Sequence, residues 1–156
     1  MKDGEVMVCI SSSPEPVNGG LVSPLGAIRY KAIASSEFIK RHKINDLLLL
    51  AHLLSDLDKL QHQFLNDLNG STPLFIHIYP SSEGFKQTMT AGLGYGLLPT
   101  LQLGDSLIKE ELVDLFPQYY IDTPLYWHYW QTESPQLKIL RKFALQVAGK
   151  RLEPIN

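Results

Sequence analysis

Segments typical of β-strands alternate with segments typical of α-helices along the whole chain. The strand-like segments are short and apolar or β-branched, and they cover residues 6–10, 30–35, 47–50, 72–79, 94–99, 112–116 and 124–130. The helical segments begin at Ser36, near 57, near 82 and at Ser134. Because this alternation is the pattern of α/β proteins, we predict an α/β fold in which helices cover a largely parallel sheet.

Local composition predicts a loop and the limits of the last helix. Gly, Pro, Ser and Asn are concentrated between Pro14 and Pro24, which predicts a loop there. The last helix should start at Ser134 with Pro135 in its first helical position, and should end near Arg151. Its apolar residues recur at helical spacing and should lie on one face, which comprises Leu137, Leu140, Ala144, Val147 and Ala148.

The composition excludes several classes of protein. The chain has 14 Lys or Arg and 16 Asp or Glu residues and a formal net charge of -2, whereas a highly basic nucleic-acid-binding domain needs a concentrated positive excess. Cys9 is the single cysteine, so no internal disulfide can form and a reducing compartment is expected. The start has no signal-peptide pattern, and no apolar run approaches the ~20 residues that a membrane helix needs. We therefore expect a soluble, cytoplasmic protein without membrane contact.

Three motifs that could carry chemistry lack the required context. Gly92, Gly94 and Gly96 form G-x-G-x-G, but they follow a helix and precede a strand, the reverse of the dinucleotide-binding order, so Gly92 should end the helix. The five histidines form no H-x-x-x-H or H-x-H pair, and His128 is expected to be packed and hydrogen-bonded in its strand. No serine lies in a G-x-S-x-G elbow. We predict no catalytic residue, no metal and no cofactor, and we expect that the chain is not an enzyme.

Two serine clusters are better candidates for a binding site. Ser11 to Ser13 follow the first predicted strand, and Ser81 and Ser82 lie between a predicted strand and a predicted helix. At such positions hydroxyls and free backbone N–H groups can hold an anion such as a carboxylate. The basic residues of the last helix instead indicate a solvated face, because Lys150 and Arg151 stand at its end, where the helix dipole favours them.

Several separated motifs resemble the effector-binding region of LysR-type transcriptional regulators. They are Asp3-Gly4-Glu5 before the first strand, the stretch from Leu25 to Ser35, Ser81-Ser82-Glu83-Gly84-Phe85, the stretch from Gly92 to Pro99, and Leu125-Tyr126-Trp127-His128. The S-S-E-x-F motif is similar to the lysine- and arginine-responsive branch, the ArgP- and LysG-like regulators, sometimes called inhibitors of chromosome initiation. The resemblance extends over nearly the whole chain, and its motifs follow in the right order.

This resemblance implies a periplasmic-binding-protein-like fold of type 2, with two α/β lobes and an effector held between them. Residues 1–35 and 124–156 would form an incomplete first lobe with the hinge strands, and residues 36–123 would form the second lobe. The family's first strand and helix of the first lobe, and its winged helix-turn-helix domain, have no counterpart in these residues. We expect the chain to be part of a longer regulator. Without the rest of that regulator, the chain should not bind an operator.

The resemblance also implies ligand-binding residues in both lobes. Ser11, Ser12 and Ser13 would line the first lobe, and Trp127 lies in the last of the resembling motifs. In the second lobe, Ser81 and Ser82 would receive the carboxylate of an amino acid, Glu83 would receive its ammonium group, and Ser55 would lie in a neighbouring loop. No catalytic or metal-binding residue is implied.

The favoured hypothesis is an effector-sensing and dimerisation module of a LysR-type regulator. Its effector would be a small metabolite, for which lysine and arginine are candidates, and DNA would be contacted only through the absent N-terminal domain. The regulator would be a homodimer or a homotetramer. Two alternatives stay open: a stand-alone module for ligand binding or dimerisation without DNA contact, and an enzyme with a serine or histidine site.

Overall fold

The computed structural model describes residues 6–41, 51–55, 63, 75–79, 82–109 and 111–155 of the chain. The chain divides into two compact units. Unit 1 comprises residues 1–29 and 122–156, and unit 2 comprises residues 30–121. The predicted strand at 47–50 and nearly all of the predicted helix at 57–68 lie outside the described residues.

The described part contains seven strands, three helices and one 3-10 turn at Thr100–Gln102. The strands are β1 (Val8–Ser11), β2 (Gly20–Ser35), β3 (Ala51–Ser55), β4 (Phe75–Tyr79), β5 (Tyr95–Pro99), β6 (Leu112–Asp114) and β7 (Ile121–Trp130). The helices are α1 (Ser36–Arg41), α2 (Ser82–Thr90) and α3 (Pro135–Arg151).

Unit 1 contains a sheet in the order β1-β7-β2 and helix α3, whose Arg141 lies over the ring of Tyr129 in β7. Strands β1 and β7 are antiparallel, and their register places Val8 opposite Tyr129 and Ser11 opposite Tyr126. Across β7 and β2, Arg29 donates hydrogen bonds to both carboxylate oxygens of Asp122, each at 2.9 Å. This bidentate pair ties the two strands together beside the points where the chain passes into unit 2.

The prediction of a largely parallel sheet was wrong. In unit 2, β3 is parallel to β4 and to β5, but β2 is antiparallel to both β5 and β6. In unit 1, β1 and β7 are also antiparallel. An apolar segment shows that a strand is buried without showing which way its neighbours run, so the sequence pattern did not carry the strand directions.

The predicted loop from Pro14 to Pro24 was too long, because β2 begins at Gly20 and includes Pro24. The turn before it is closed by a hydrogen bond from the Gly20 N–H to the Val17 carbonyl at 2.8 Å. Proline is compatible with a strand where the ladder does not need its missing N–H. The strand predicted at 112–116 is shorter than expected and ends at Asp114, after which the Leu115 N–H bonds to the Ala32 carbonyl.

The core of unit 2 has two apolar clusters. One contains Ala32, Ala34, Phe38, Tyr95, Leu97, Leu115 and Ile121. The other contains Ile33, Phe85, Met89, Leu98, Leu103 and Leu112. Burial raises the pKa of the Tyr95 phenol. Tyr95 therefore stays neutral in the folded protein at pH values where an exposed tyrosine would ionise. As predicted, Gly92 ends α2: its φ is +80°, and its N–H bonds to the Met89 carbonyl at 3.0 Å.

Helix α3 begins as predicted, with Pro135 first and the Ser134 hydroxyl accepting the Leu137 N–H at 3.3 Å. Two residues of its predicted apolar face, Leu140 and Val147, are exposed. Together with Ile139 and Phe143 they form a second apolar stripe, which we call the outer stripe. At 100° per residue the members of this stripe lie about 80° to 180° around the helix from Ala148, the buried residue of the helix. No helix in the described residues is long and apolar enough to span a membrane.

Candidate functional site

The register of β1 and β7 brings polar residues to one face of the unit 1 sheet. Cys9 is opposite His128 and Ser11 is opposite Tyr126, and directly opposite residues of antiparallel strands share a face. With the loop that follows β1, this face encloses a cavity of about 660 Å³. Its lining residues are Cys9, Ser11, Ser13, Glu15, Pro16, Val17, Asn18, His128 and Trp130. All of them belong to unit 1.

His128 is the centre of the hydrogen bonds in this cavity. It is only 4% exposed, and its Nε2 lies 3.0 Å from the Ser11 hydroxyl and 2.9 Å from the Ser13 carbonyl oxygen. The prediction that His128 is packed and hydrogen-bonded is therefore confirmed. A buried imidazole that joins the end of β1 to the loop fixes the position of the serine side chains.

The Ser11–His128 pair resembles a nucleophile and its base, but the His128 nitrogen that faces Ser11 already carries a proton. A carbonyl oxygen only accepts hydrogen bonds, so the Nε2 atom of His128 carries a proton and donates it to Ser13. A protonated Nε2 cannot remove the proton from the Ser11 hydroxyl. The geometry therefore fits a binding site rather than a serine nucleophile.

The serine hydroxyls also accept backbone hydrogen bonds within the loop. The Ser13 N–H donates to Ser11 Oγ at 3.2 Å, and the Glu15 N–H donates to Ser13 Oγ at 3.3 Å. These two local bonds hold the loop against the end of β1 and leave both hydroxyl protons free to donate elsewhere.

The structure places the other predicted site residues in different surroundings. Ser12 is exposed and does not line the cavity. Trp127 is buried on the opposite face of β7 from His128, the face shared with Ile10, and its Nε1 finds no acceptor among the described residues. Ser81 lies outside the described residues.

Three predicted residues lie in unit 2. Ser55 is the last residue of β3, and Ser82 is the first residue of α2. Glu83, in the first turn of α2, is exposed and borders a shallow depression of about 340 Å³. The remaining residues of this depression are Lys86, Gln87, Thr90 and Ala91, all on the same helix or just after it.

Sequence reasoning did not identify His128, Cys9, Glu15 or Trp130 as site residues. Side chains alternate between the two faces of a strand, so His128 and Trp130 of β7 lie on one face, and this could have been predicted from the sequence. The pairing of β7 with β1 was not available, because it joins residues more than a hundred positions apart. Among the side chains that the structure describes, no group of three or more His, Cys, Asp or Glu residues is arranged to hold a metal ion.

Comparison with known proteins identifies relatives over the whole chain. No family model matches it. The HTH-type transcriptional regulator ArgP of Pseudomonas aeruginosa is 41% identical over 162 aligned positions, which cover 100% of this chain and 54% of that protein. The chain thus spans about half the length of the curated relatives it matches.

Two solved structures are similar to the chain over 98% of its length and are 31% identical to it. The full-length LysG of Corynebacterium glutamicum with bound effector arginine has a TM-score of 0.88, and the match covers 55% of that chain. The C-terminal domains of a LysR family protein from Agrobacterium tumefaciens have a TM-score of 0.86, with 77% of that chain covered. These matches confirm the predicted type 2 periplasmic-binding-protein-like fold. The chain belongs to the LysR family of transcriptional regulators and corresponds to the effector-binding domain of its ArgP and LysG branch.

Proposed function

We propose that this chain is the effector-sensing module of a LysR-type regulator and that it binds a free amino acid. The cavity around Ser11, Ser13 and His128 is the observation that carries the proposal, because it combines polar groups in a concave site. The similar LysG structure holds arginine as its effector, which makes a basic amino acid the first candidate. As part of a transcriptional regulator, the module would work in the cytoplasm.

The two compact units would be the two lobes of the sensor. The chain passes between them at Arg29–Tyr30 and at Ile121–Asp122, within the long strand β2 and at the start of β7. Effector binding would change how the lobes close, and hinge closure is a common switching mechanism. The DNA contacts that this closure controls would be made by a helix-turn-helix domain of the whole regulator.

The first test is a calorimetric titration of this chain with L-arginine, L-lysine and a neutral amino acid. We expect saturable binding of at least one basic amino acid. Ser11→Ala should weaken it about tenfold, because a hydrogen bond to a charged ligand group contributes about 1.5–3 kcal/mol. Ser12→Ala is the matched control, since Ser12 is exposed outside the cavity, and it should bind like the wild type. Absence of binding for all three ligands, or equal affinity of the Ser11 variant, would contradict the proposal.

We also propose that the module forms homo-oligomers through unit 1. Among the described strands β1 has one neighbour, β7, so its other edge can receive a strand. Ile10 on this strand is 54% exposed and lies on the face of Tyr129, over which Arg141 of α3 is placed. The outer stripe of α3 is exposed as well.

A second copy of this chain offers both elements that this surface lacks. Antiparallel pairing of β1 with its copy across a two-fold axis would continue the sheet and place the two outer stripes beside each other. We expect sedimentation velocity to show a dimer or tetramer that Phe143→Glu converts to monomer, because Phe143 is 59% exposed on the stripe. Lys138→Gln changes the charge of the same helix by the same amount, at an exposed position at least 100° around the helix from every residue of the outer stripe, and should leave the oligomer intact. A wild-type chain that is monomeric at about 100 μM would contradict this proposal, since such an interface is expected to hold in the micromolar range.

A further inference from the structure

We infer that two ion pairs, Arg29–Asp122 and Lys31–Asp114, confine the hinge of the sensor to the few residues at which the chain crosses from one unit to the other. Each pair would tie the crossing strands to their own unit up to the crossing itself, so that the change in backbone angles is absorbed between the pairs. This inference rests on the proposed function, in which the two units close on an effector, and it adds where the chain bends.

The two cations lie on either side of the crossing in β2. Arg29 is the last residue of unit 1 on this strand, and Lys31 is the second residue of unit 2. Because they are two positions apart in a strand, their side chains leave the same face. Their acidic partners nevertheless belong to different units: Asp122 is the first residue of unit 1 on β7, and Asp114 ends β6 in unit 2. Each cation is thus paired within its own unit.

On the unit 1 side, Arg29 is held by two carboxylates. It donates to both carboxylate oxygens of Asp122, each at 2.9 Å, and its Nη1 lies 3.6 Å from a carboxylate oxygen of Glu153. Glu153 is itself fixed to unit 1, because its backbone exchanges two hydrogen bonds with Ala27. A bend that carried Arg29 away with unit 2 would break the contact with Glu153. Rotation before Arg29 is therefore disfavoured.

On the unit 2 side, Lys31 is held by one carboxylate and one carbonyl group. Its ammonium group bonds to Asp114 and donates to the Pro117 carbonyl oxygen at 3.0 Å. Asp114 is fixed to unit 2, because it lies opposite Ile33 in the ladder between β6 and β2. A bend after Lys31 would separate its ammonium group from both acceptors. Rotation there is disfavoured as well, which leaves the crossing itself.

Partial burial makes these pairs stronger than ordinary surface pairs. The side chains of Arg29 and Asp122 are 27% and 29% exposed, and those of Lys31 and Asp114 are 17% and 19% exposed. The Arg29 pair is also bidentate, which is the stronger geometry for an arginine and a carboxylate. Each pair should therefore measurably slow the local opening of the strand that it holds.

Amide hydrogen exchange followed by NMR tests the inference, because local opening sets the exchange rate. Asp122→Asn should speed exchange about fivefold at residues 27–29 and leave residues 32–34 unchanged, and Asp114→Asn should do the reverse. Asp105→Asn is the matched control, since it removes the same charge from an exposed position of unit 2, and it should change neither set. If either paired variant changes both sets equally, or changes neither set, the inference is wrong.

A measurement on the wild-type chain covers the case that a variant does not fold. Raising the NaCl concentration from about 0.05 M to about 0.5 M screens both ion pairs and should speed exchange at least twofold on both sides of the crossing. Unchanged exchange rates would also overturn the inference.

A titration with L-arginine separates this inference from the proposed function. Within β2, the amide shifts should be largest at residues 29–31 and should decrease on both sides. If L-arginine binds and the shifts along β2 show no such limit, the inference is wrong while the proposed function stands. If L-arginine does not bind, the proposed function fails, and the exchange rates alone decide whether the ion pairs hold the crossing.

Discussion

Gly26→Ala is expected to lower the free energy of unfolding of unit 1 by about 3 kcal/mol, through backbone strain and steric overlap. Gly26 has a φ of +141°, which side-chain-bearing residues rarely adopt. A Cβ atom there would lie 2.6 Å from the Leu152 Cβ and 2.9 Å from the Glu153 carbonyl oxygen. These atoms cannot move aside easily, because Ala27 and Glu153 exchange two backbone hydrogen bonds at 2.7 and 2.9 Å. The added methyl group would push the end of the chain off β2.

Urea unfolding followed by tryptophan fluorescence measures this effect in the right unit, because Trp127 and Trp130 both lie in unit 1. Two matched glycines of the same unit separate the causes. Gly19 has a φ of +80° but only an ordinary contact at 4.0 Å, so Gly19→Ala should cost about 1 kcal/mol. Gly149 lies in α3 with open space around it, so Gly149→Ala should raise the free energy of unfolding of unit 1 by up to about 1 kcal/mol. A Gly26 variant no less stable than the Gly19 variant would contradict the predicted overlap.

Arg141→Met is expected to lower the free energy of unfolding by about 3 kcal/mol, because it leaves Glu133 as a buried charge without its partner. Glu133 is only 6% exposed, and Arg141 donates to its carboxylate from both Nη2 and Nε, the shorter bond being 2.6 Å. These hydrogen bonds raise the pKa of the Arg141 guanidinium, which also lies 4.3 Å from the centre of the Tyr129 ring. The pair therefore joins the start of α3 to β7.

A double-mutant cycle separates the lost pair from the lost charge. Arg141→Met with Glu133→Gln should be more stable than Arg141→Met alone, because the uncompensated carboxylate is gone. Lys142→Met is the control, since Lys142 is the exposed neighbour of Arg141 on α3 and should change stability by less than about 0.5 kcal/mol. A double variant as unstable as the single one would mean that packing of the Arg141 side chain, rather than its charge, stabilises this region.

The local features of the fold could be predicted from the sequence where the signal itself is local. The serine cap and proline at the start of α3, the glycine that ends α2 and the strand at Tyr95–Pro99 depend on neighbouring residues, and all three predictions are confirmed. Strand directions and the outer stripe of α3 could not be predicted, because both depend on which distant elements come together. Apolar spacing identified Leu140 and Val147 as helical, but exposure is decided by what covers a helix.

One wall of the candidate site could be predicted from the sequence, and the other could not. The residue types after β1 indicated an anion-binding loop, and Ser11 and Ser13 do line a cavity. The other wall of that cavity comes from β7, and only the pairing of Cys9 with His128 places it there. The proton on the His128 Nε2, which distinguishes a binding site from a serine nucleophile, depends on one carbonyl at 2.9 Å and leaves no trace in the sequence.

The most direct test of the account follows the nitrogen and hydrogen NMR signals of this chain during a titration with L-arginine. We expect the largest shifts at the amides of Ser13 and Glu15 and at the His128 ring, whose Nε2 should show a bound proton before ligand is added. Saturable shifts confined to residues outside the cavity, with Ser13, Glu15 and His128 unchanged, would contradict the assignment of unit 1 as the place where the effector is held.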